Sequence, residues 1–199
     1  MVVLAKIPVR MTVDEFLVWD SGDEYRYELV DGEPRAMAPA STVHGFLQSE
    51  LARLIGNHLR EASPKCEVVT NPGVVPRLLS EYNVRIPDLA VTCSPLAGGQ
   101  ATLADPVLLI EILSPSNQAK TWTNVWAYTS IVSVQEILVL RADRISGELL
   151  RRSPRGEWPE RPIAITEGEL VLKSIDFRVA LADLYARTGL PTPLGATSR

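Results

Sequence analysis

Two acidic residues interrupt apolar stretches near the middle of the chain. Asp88 lies within residues 86–91 and Glu111 lies within residues 107–113, and most other residues of both stretches are apolar. A carboxylate inside a segment with the composition of a buried strand costs several kcal/mol unless it is paired or holds a cation. Two such carboxylates therefore predict a shared metal ion.

The composition predicts one globular domain. The chain has 199 residues, of which 46% are hydrophobic and 22% are charged, so it can bury a core and is too apolar to be disordered. We place this domain at residues 1–190 and expect residues 191–199 to form a flexible tail. The net charge of -4 and the pI near 5.3 lack the basic character of non-specific nucleic-acid binders, so any nucleic-acid contact must be local.

The two cysteines and the N-terminal residues bear on cellular location. Cys66 and Cys93 form no Cys-x-x-Cys pair and each adjoins an apolar segment, which predicts buried, reduced thiols in a cytoplasmic protein. Residues 1–10 contain no apolar stretch long enough for a signal peptide, and no segment approaches the roughly 18 apolar residues of a membrane span. We therefore expect a cytoplasmic protein without membrane contacts.

The N-terminal third predicts a short helix followed by a hairpin. Thr12 and Glu15 have the spacing of a capping box, so a helix should begin there and run to about residue 19. Asp31-Gly32 is a hairpin turn signal between strands at 25–30 and 33–37. We expect this hairpin to open the sheet.

A long helix is predicted over residues 41–60, where apolar residues recur at helical spacing. At about 100° per residue, His44 and His58 both fall on the inward face of this helix. Either histidine could therefore approach a buried site.

The rest of the chain predicts strands and two helices. A strand at 107–113, a helix from Ser116 or Asn117 to about residue 129, and a strand at 136–140 form a βαβ unit, so part of the sheet should be parallel. The other predicted elements are strands at 66–70, 73–78 and 86–92, edge strands at 147–152 and 170–172, and a helix at 179–188. The predicted fold class is α/β, with a central mixed sheet flanked by helices.

Four motifs, taken in order, closely resemble the Uma2 family, also called DUF820, of restriction-endonuclease-like proteins. They are residues 11–16, residues 27–33, Pro87-Asp88-Leu89 and residues 111–116. The similarity covers roughly residues 11–190. That family belongs to the PD-(D/E)XK nuclease superfamily, so the resemblance implies a restriction-endonuclease-like core, a Mg2+-dependent phosphodiesterase site and a bacterial source.

The resemblance gives the two acids a chemical role. Hydrolysis of a phosphodiester needs a cation that neutralises developing charge and lowers the pKa of an attacking water molecule. Mg2+, or Mn2+ in its place, prefers a few carboxylate oxygens with waters completing an octahedral shell. Asp88 and Glu111 could supply those oxygens, and the main-chain carbonyl of Ile112 or Leu113 could add another.

Each acid also has a structural interpretation that needs no metal. Asp88 could pair with Arg85 at the start of its strand, and Glu111 could cap the turn at residues 114–116. Either interpretation is credible for one acid taken alone. Their joint placement, together with the family resemblance, favours a shared cation.

The lysine that normally completes such a site has no direct counterpart. In the standard signature it lies two residues after the second acid, where this chain has Leu113. The resemblance implies instead a lysine on the following helix, with an aspartate one turn before it. Counted forward from residues 114–116 the lysine position is Val125, and counted back from Tyr128 it is Asn124, so neither count finds a lysine.

Lys120 is the only lysine close to these positions in the sequence. It occupies the aspartate position in the count from Tyr128, and it lies about 40° from Asn124 but about 140° from Val125 around the helix. Lys120 can therefore replace the missing lysine only in the Tyr128 count. The alternative is a solvated cation near a helix start.

His44 and two hairpin acids are the remaining candidates. His44 lies in the first turn of its helix, where it could act as a proton shuttle or hold a substrate phosphate. It could equally be a hydrogen-bonded core residue, and we interpret His58 as structural. Glu28 and Glu33 could lie behind the metal ligands, although hairpin acids usually face solvent.

Two functional classes follow. The first is a Mg2+- or Mn2+-dependent endonuclease acting on nucleic acid, with DNA favoured over RNA, and its catalytic residues are Asp88, Glu111, Lys120 and His44. The second, favoured by the missing lysine, is a catalytically degenerate relative that keeps the fold as a binding or oligomerisation module. A homodimer fits the nuclease class, with the Trp-rich helix that contains Trp126 as a contact. A third interpretation, a structural protein without a ligand, predicts no cleft around Ser114.

Overall fold

The computed structural model describes residues 10–115 and 118–191. Over these residues the α-helices are α1 (Val13–Leu17), α2 (Thr42–Ala62), α3 (Gln118–Tyr128) and α4 (Leu181–Tyr185). The strands are β1 (Tyr27–Val30), β2 (Glu33–Ala36), β3 (Glu67–Thr70), β4 (Leu89–Thr92), β5 (Pro106–Leu113), β6 (Glu136–Arg141), β7 (Gly147–Arg151), β8 (Ile163–Ile165), β9 (Glu169–Leu172) and β10 (Phe177–Ala180). The predicted helix cap at Ser116 or Asn117 and the tail beyond residue 191 lie outside the described residues.

The central element of the fold is a mixed sheet of six strands in the order β3-β4-β5-β6-β7-β8. Within it β5 and β6 run parallel and the other neighbours run antiparallel. Helix α3 connects β5 to β6, as the predicted βαβ unit requires. β5 is almost entirely buried and lies between two apolar layers, one involving α2 and α4 and the other involving α3. The predicted mixed sheet flanked by helices is therefore confirmed.

The first two helices begin where the sequence signals place them. Thr12 and Glu15 form the predicted capping box, with Thr12 N–H donating to Glu15 Oε2 at 2.8 Å. The Ser41 side chain caps α2 by accepting from the N–H of His44. Among the described helices, none is both long and apolar enough to cross a membrane.

The N-terminal hairpin forms a small sheet of its own, which corrects the expectation that it opens the central sheet. β1 and β2 pair antiparallel through a turn in which Asp31 and Gly32 have φ angles of 52° and 83°. Positive φ at both turn residues is the requirement of a type I′ turn, which explains the Asp-Gly signal. A bridge between Leu29 and Val84 attaches β1 to the segment that leads into β4.

Other predicted elements differ from the structure in their pairing. Residues 73–78 form isolated bridges rather than a strand, because Pro76 has no N–H to continue a ladder. β7 is an inner strand because β8 pairs along its other side, and β9 pairs with β10 outside the central sheet. Val179 belongs to β10, so the last helix begins at Leu181 instead of residue 179.

Cys66 and Cys93 form a disulfide, so the prediction of reduced thiols is wrong. The β3–β4 ladder ends at the pair of Glu67 and Thr92. Cys66 directly precedes Glu67 and Cys93 directly follows Thr92, so this register places the two cysteines opposite each other. They are 27 residues apart in the chain, and the register that joins them cannot be read from their spacing. The disulfide closes the end of the β3–β4 pair opposite to the end that carries Asp88.

Candidate active site

A cleft of about 480 Å³ lies where β4 and β5 approach the N-terminal hairpin. Its walls come from the hairpin, the start of α2 and the first turns of α3. All four side chains predicted to be catalytic line it: Asp88, Glu111, Lys120 and His44. Residues that lie far apart in the sequence thus meet in one cavity, which also includes Ser114 in its lining. The interpretation as a protein without a cleft around Ser114 is therefore wrong.

Asp88 is held in one orientation by two hydrogen bonds. Its Oδ1 lies 2.8 Å from His44 Nε2, and its Oδ2 accepts from the main-chain N–H of Ile112 at 2.6 Å. The ladder between β4 and β5 ends at the pair of Leu89 and Ile110, and beyond it the Asp88 carboxylate supplies the acceptor for the Ile112 N–H of β5. Asp88 does not fulfil the alternative prediction of an ion pair with Arg85, whose guanidinium donates to the carbonyl of Leu29 at 3.4 Å.

Glu111 is a buried carboxylate with a neutral partner. The hydroxyl of Tyr128 donates to its Oε1 at 2.7 Å, and both residues are fully or almost fully buried. Burial raises the pKa of Glu111 well above its ordinary value, and the negative charge of Asp88 raises it further. The hydroxyl of Tyr128 opposes this shift, Glu28 adds to it, and the charge of Lys120 opposes it. The site therefore favours a proton or a cation on Glu111.

The two histidines have different environments. His44, in the first turn of α2, is 8% exposed and contacts Asp88 in the cleft, so it is both a hydrogen-bonded interior residue and a neighbour of the site. His58 lies in the same helix, and its Nε2 is 2.8 Å from the carbonyl oxygen of Ile175, with its ring against Phe177. The structural interpretation of His58 agrees with these contacts.

Lys120 lies on the cleft side of α3, and its side chain is 38% exposed. Its Nζ is 2.8 Å from Oε2 of Glu28. Asn124, one turn later, also lines the cleft, whereas Val125 is fully buried in the apolar layer beneath α3. The two positions obtained by counting back from Tyr128, Lys120 and Asn124, therefore both face the cleft.

For Glu28 the sequence left two positions open, one behind the proposed metal ligands and one facing solvent. The structure shows it completely buried in the lining of the cleft. Its Oε1 accepts from the N–H of Ile86 at 3.1 Å and from the Asn124 amide at 2.9 Å. A usable signal was present, because Glu28 lies next to Leu29 and Val30 and so interrupts an apolar stretch as Asp88 and Glu111 do. Glu33 is exposed and pairs with Arg35 on the surface.

The donor set of the cleft suits a hard divalent cation. Asp88 and Glu111 offer carboxylate oxygens, and burial together with the charge of Asp88 raises the pKa of Glu111, a combination that a bound cation would relieve. Within the described residues no cluster of three or more His, Cys, Asp or Glu side chains is arranged to hold a metal. A metal here would therefore depend on two carboxylates, a main-chain carbonyl such as that of Ile112, water and substrate oxygens, which is a common ligand set for Mg2+.

Comparison with known proteins agrees with this architecture. A family model described as "Uma2: Putative restriction endonuclease" matches residues 13–182. The chain is 26% identical over 178 residues to "Uncharacterized protein slr1290" of Synechocystis sp., a match that covers 88% of this chain and 92% of that protein.

A solved structure is also similar to this chain. It is the crystal structure of "a putative nuclease belonging to DUF820" from Anabaena variabilis, with a TM-score of 0.69 and 19% sequence identity. The match covers 88% of this chain and 98% of that chain. The two chains therefore share one fold.

Proposed function

Because the chain belongs to the Uma2 family of restriction-endonuclease-like proteins, we propose that it is a Mg2+-dependent endonuclease that hydrolyses phosphodiester bonds in nucleic acid. The observation that carries this proposal is the meeting of two buried carboxylates in one cleft beside the ammonium of Lys120: Asp88, directly before β4, and Glu111, in the neighbouring strand β5. Mn2+ is the natural substitute in experiments because it accepts the same oxygen ligands.

The residues of the cleft have distinct proposed roles. Asp88, Glu111 and the carbonyl of Ile112 would hold Mg2+, which when bound supplies neutralising charge and an acidified water molecule. His44 keeps the Asp88 carboxylate in place through its Nε2. Lys120 contributes a positive charge at the cleft, where the phosphate of a substrate carries negative charge.

The walls of the cleft support nucleic acid as the substrate. Arg26 and Lys120 in its lining offer positive charge to a phosphate, and Tyr25, Met37, Ala38 and Pro39, also in the lining, suit a sugar and a base. Tyr25 is 62% exposed, so its ring is accessible for stacking. The net charge of -4 limits long-range attraction to DNA, and binding would therefore depend on these local contacts.

A second candidate function is a nuclease-fold module without catalysis. It is favoured by one observation: Leu113 and Asn124 occupy the positions where a lysine is expected, and Lys120 is paired with a carboxylate. An oligomerisation role would use the outer face of α3, where Trp126 is 46% exposed. Sedimentation of the wild type beside Trp126→Ala measures that role directly.

The nuclease proposal is tested by measuring metal binding and nucleic-acid cleavage on the same set of variants. Calorimetric titration with Mn2+ and Mg2+ compares the wild type with Asp88→Asn and Glu111→Gln, which change charge but little volume. Glu157→Gln, an exposed acid outside the cleft, is the matched control.

We expect both cleft variants to lose metal binding and to lower cleavage of single-stranded DNA, duplex DNA or RNA by about 10³-fold, while the control behaves as the wild type. Metal binding with no cleavage of any of the three substrates would favour the non-catalytic module. Metal binding that survives both substitutions would place the metal elsewhere.

A further inference from the structure

The carboxylate of Glu28 joins three separate parts of the chain. It belongs to β1 of the hairpin, accepts hydrogen bonds from the N–H of Ile86 before β4 and the side chain of Asn124 on α3, and forms an ion pair with Lys120 on α3. A fully buried carboxylate is expensive unless its oxygens are paired, and here Oε1 accepts two hydrogen bonds while Oε2 lies at ion-pair distance from the ammonium of Lys120, without hydrogen-bond geometry. The structure therefore holds this charge at a defined point beside the cleft.

The two oxygens of Glu28 have different partners. Oε1 accepts both neutral donors, the Ile86 N–H and the Asn124 amide. Oε2 is buried and, among the described residues, meets the ammonium of Lys120 at 2.8 Å. Because Oε1 is fixed by two neutral donors, the direction in which Oε2 points does not depend on Lys120. Oε2 is thus a ready acceptor, aimed at the cleft side of α3.

A lysine side chain has four flexible bonds, so an unpaired ammonium samples many positions. The pair with Glu28 restricts Lys120 Nζ to one position in the wall of the cleft while 38% of the side chain remains exposed. The charge of Lys120 also reaches Glu111, because it opposes the raised pKa of that carboxyl. Lys120 is therefore close enough to influence the carboxylates proposed to bind metal.

The negative charge of Glu28 acts on two cations, Lys120 and Arg85. Arg85 is 4% exposed, and burial lowers the pKa of its guanidinium while the charge of Glu28 opposes that shift. Glu28 thus interacts electrostatically with a buried cation, Arg85, as well as with the partly exposed Lys120.

We infer that Glu28 is a positioning residue that holds the ammonium of Lys120 at the cleft, where it meets the phosphate undergoing hydrolysis. This inference rests on the proposed nuclease function, and it gives the hairpin a part in the reaction. Two other roles for Glu28 are distinguishable by experiment: a purely structural contact between β1 and α3, and a partner that withdraws Lys120 from the substrate.

The position of Lys120 can be measured without any nuclease assay. The chain has four lysines, so methylation with 13C-formaldehyde gives a simple NMR spectrum, in which Lys120→Arg assigns the signal of interest. In the wild type we expect the Lys120 signal to be broader than, and separate from, those of exposed Lys65 and Lys173. Glu28→Gln should move it onto those signals, whereas Glu33→Gln, an exposed acid of the same hairpin, should not. A wild-type Lys120 signal that already coincides with the exposed lysines overturns the inference, even if Glu28→Gln fails to fold.

A double-mutant comparison tests whether Glu28 acts through Lys120. We expect Glu28→Gln to lower kcat by about 10²-fold with KM changed less, and to have no further effect in the Lys120→Met background. Equal losses in both backgrounds would show that Glu28 acts independently, and a rise in kcat would show that it withdraws Lys120. A wild type that cleaves no nucleic acid would refute the proposed function, and the lysine spectra would still decide the positioning.

Discussion

Two buried glutamates on neighbouring strands of the same sheet have opposite surroundings. Glu136, at the start of β6, is 1% exposed and accepts hydrogen bonds from Arg151 Nε at 2.5 Å and from the N–H of Ser174 at 2.7 Å. Glu111, on β5, is 7% exposed and accepts a hydrogen bond from the neutral hydroxyl of Tyr128. In the described part of the chain no arginine or lysine lies within ion-pair distance of Glu111.

This difference separates a carboxylate that joins parts of the fold from one that is available for chemistry. Arg151 also donates to the carbonyl of Val171, so the Glu136 contacts join the central sheet to the β9–β10 hairpin. Glu111 accepts a hydrogen bond from Tyr128 of α3, and the neighbouring carboxylates of Asp88 and Glu28 both raise its pKa. The chain supplies a cation for Glu136, whereas Glu111 has only a neutral hydroxyl donor, and its raised pKa favours a proton or, under the proposed function, a bound metal ion.

Replacement of Glu136 should give the largest effect on stability. Glu136→Gln leaves the partly buried Arg151 without its counter-charge, and we expect a loss of about 3 kcal/mol in the free energy of unfolding measured by urea titration. Mn2+ affinity should not change. A Glu136→Gln protein with wild-type stability would remove the distinction between the two glutamates.

The pH dependence of stability should sharpen the comparison. The pKa of Glu111 is raised in the folded protein, so its contribution to stability is complete below the unfolded value near 4.5 and is lost as pH rises through the folded value. The loss is about 1.4 kcal/mol for each unit by which the pKa is raised. In a chelating buffer, the wild type should therefore lose stability relative to Glu111→Gln as pH rises above the unfolded value near 4.5.

Added Mg2+ supplies the control for this experiment. It should restore the stability of the wild type at the higher pH and leave Glu111→Gln unchanged, because only the ionised carboxylate binds the metal. Parallel pH curves for the two proteins would show that burial of Glu111 has no energetic consequence.

The smallest effect is expected at the apolar wall of the cleft. Tyr25→Ala should raise KM for single-stranded DNA by about tenfold with little change in kcat, because stacking on one ring contributes to binding and not to the chemical step. Tyr25→Phe keeps the ring and should behave as the wild type. An effect confined to kcat would assign Tyr25 to catalysis.

The sequence was informative wherever a local rule decides the structure. Asp88 and Glu111 were recognised because an acid in an apolar strand requires an explanation, and the β5–α3–β6 unit followed from periodicity and length. Glu28 obeys the same rule, but the sequence leaves open whether it faces the site or solvent, because its burial depends on α3 covering the hairpin. The Cys66–Cys93 disulfide depends on strand register, which the spacing of two cysteines does not contain.

The hairpin and the central sheet meet at the cleft but remain separate sheets, and this has a consequence for how the protein can change. Asp88 and Glu111 belong to the central sheet, whereas Tyr25 precedes β1 and the apolar residues 37–40 follow β2. Mutations in the hairpin flanks can therefore alter the ligands that the cleft accepts without moving the carboxylates. The hairpin flanks can vary in sequence independently of the two carboxylates, and under the proposed function exchange of these flanks between relatives would change substrate preference.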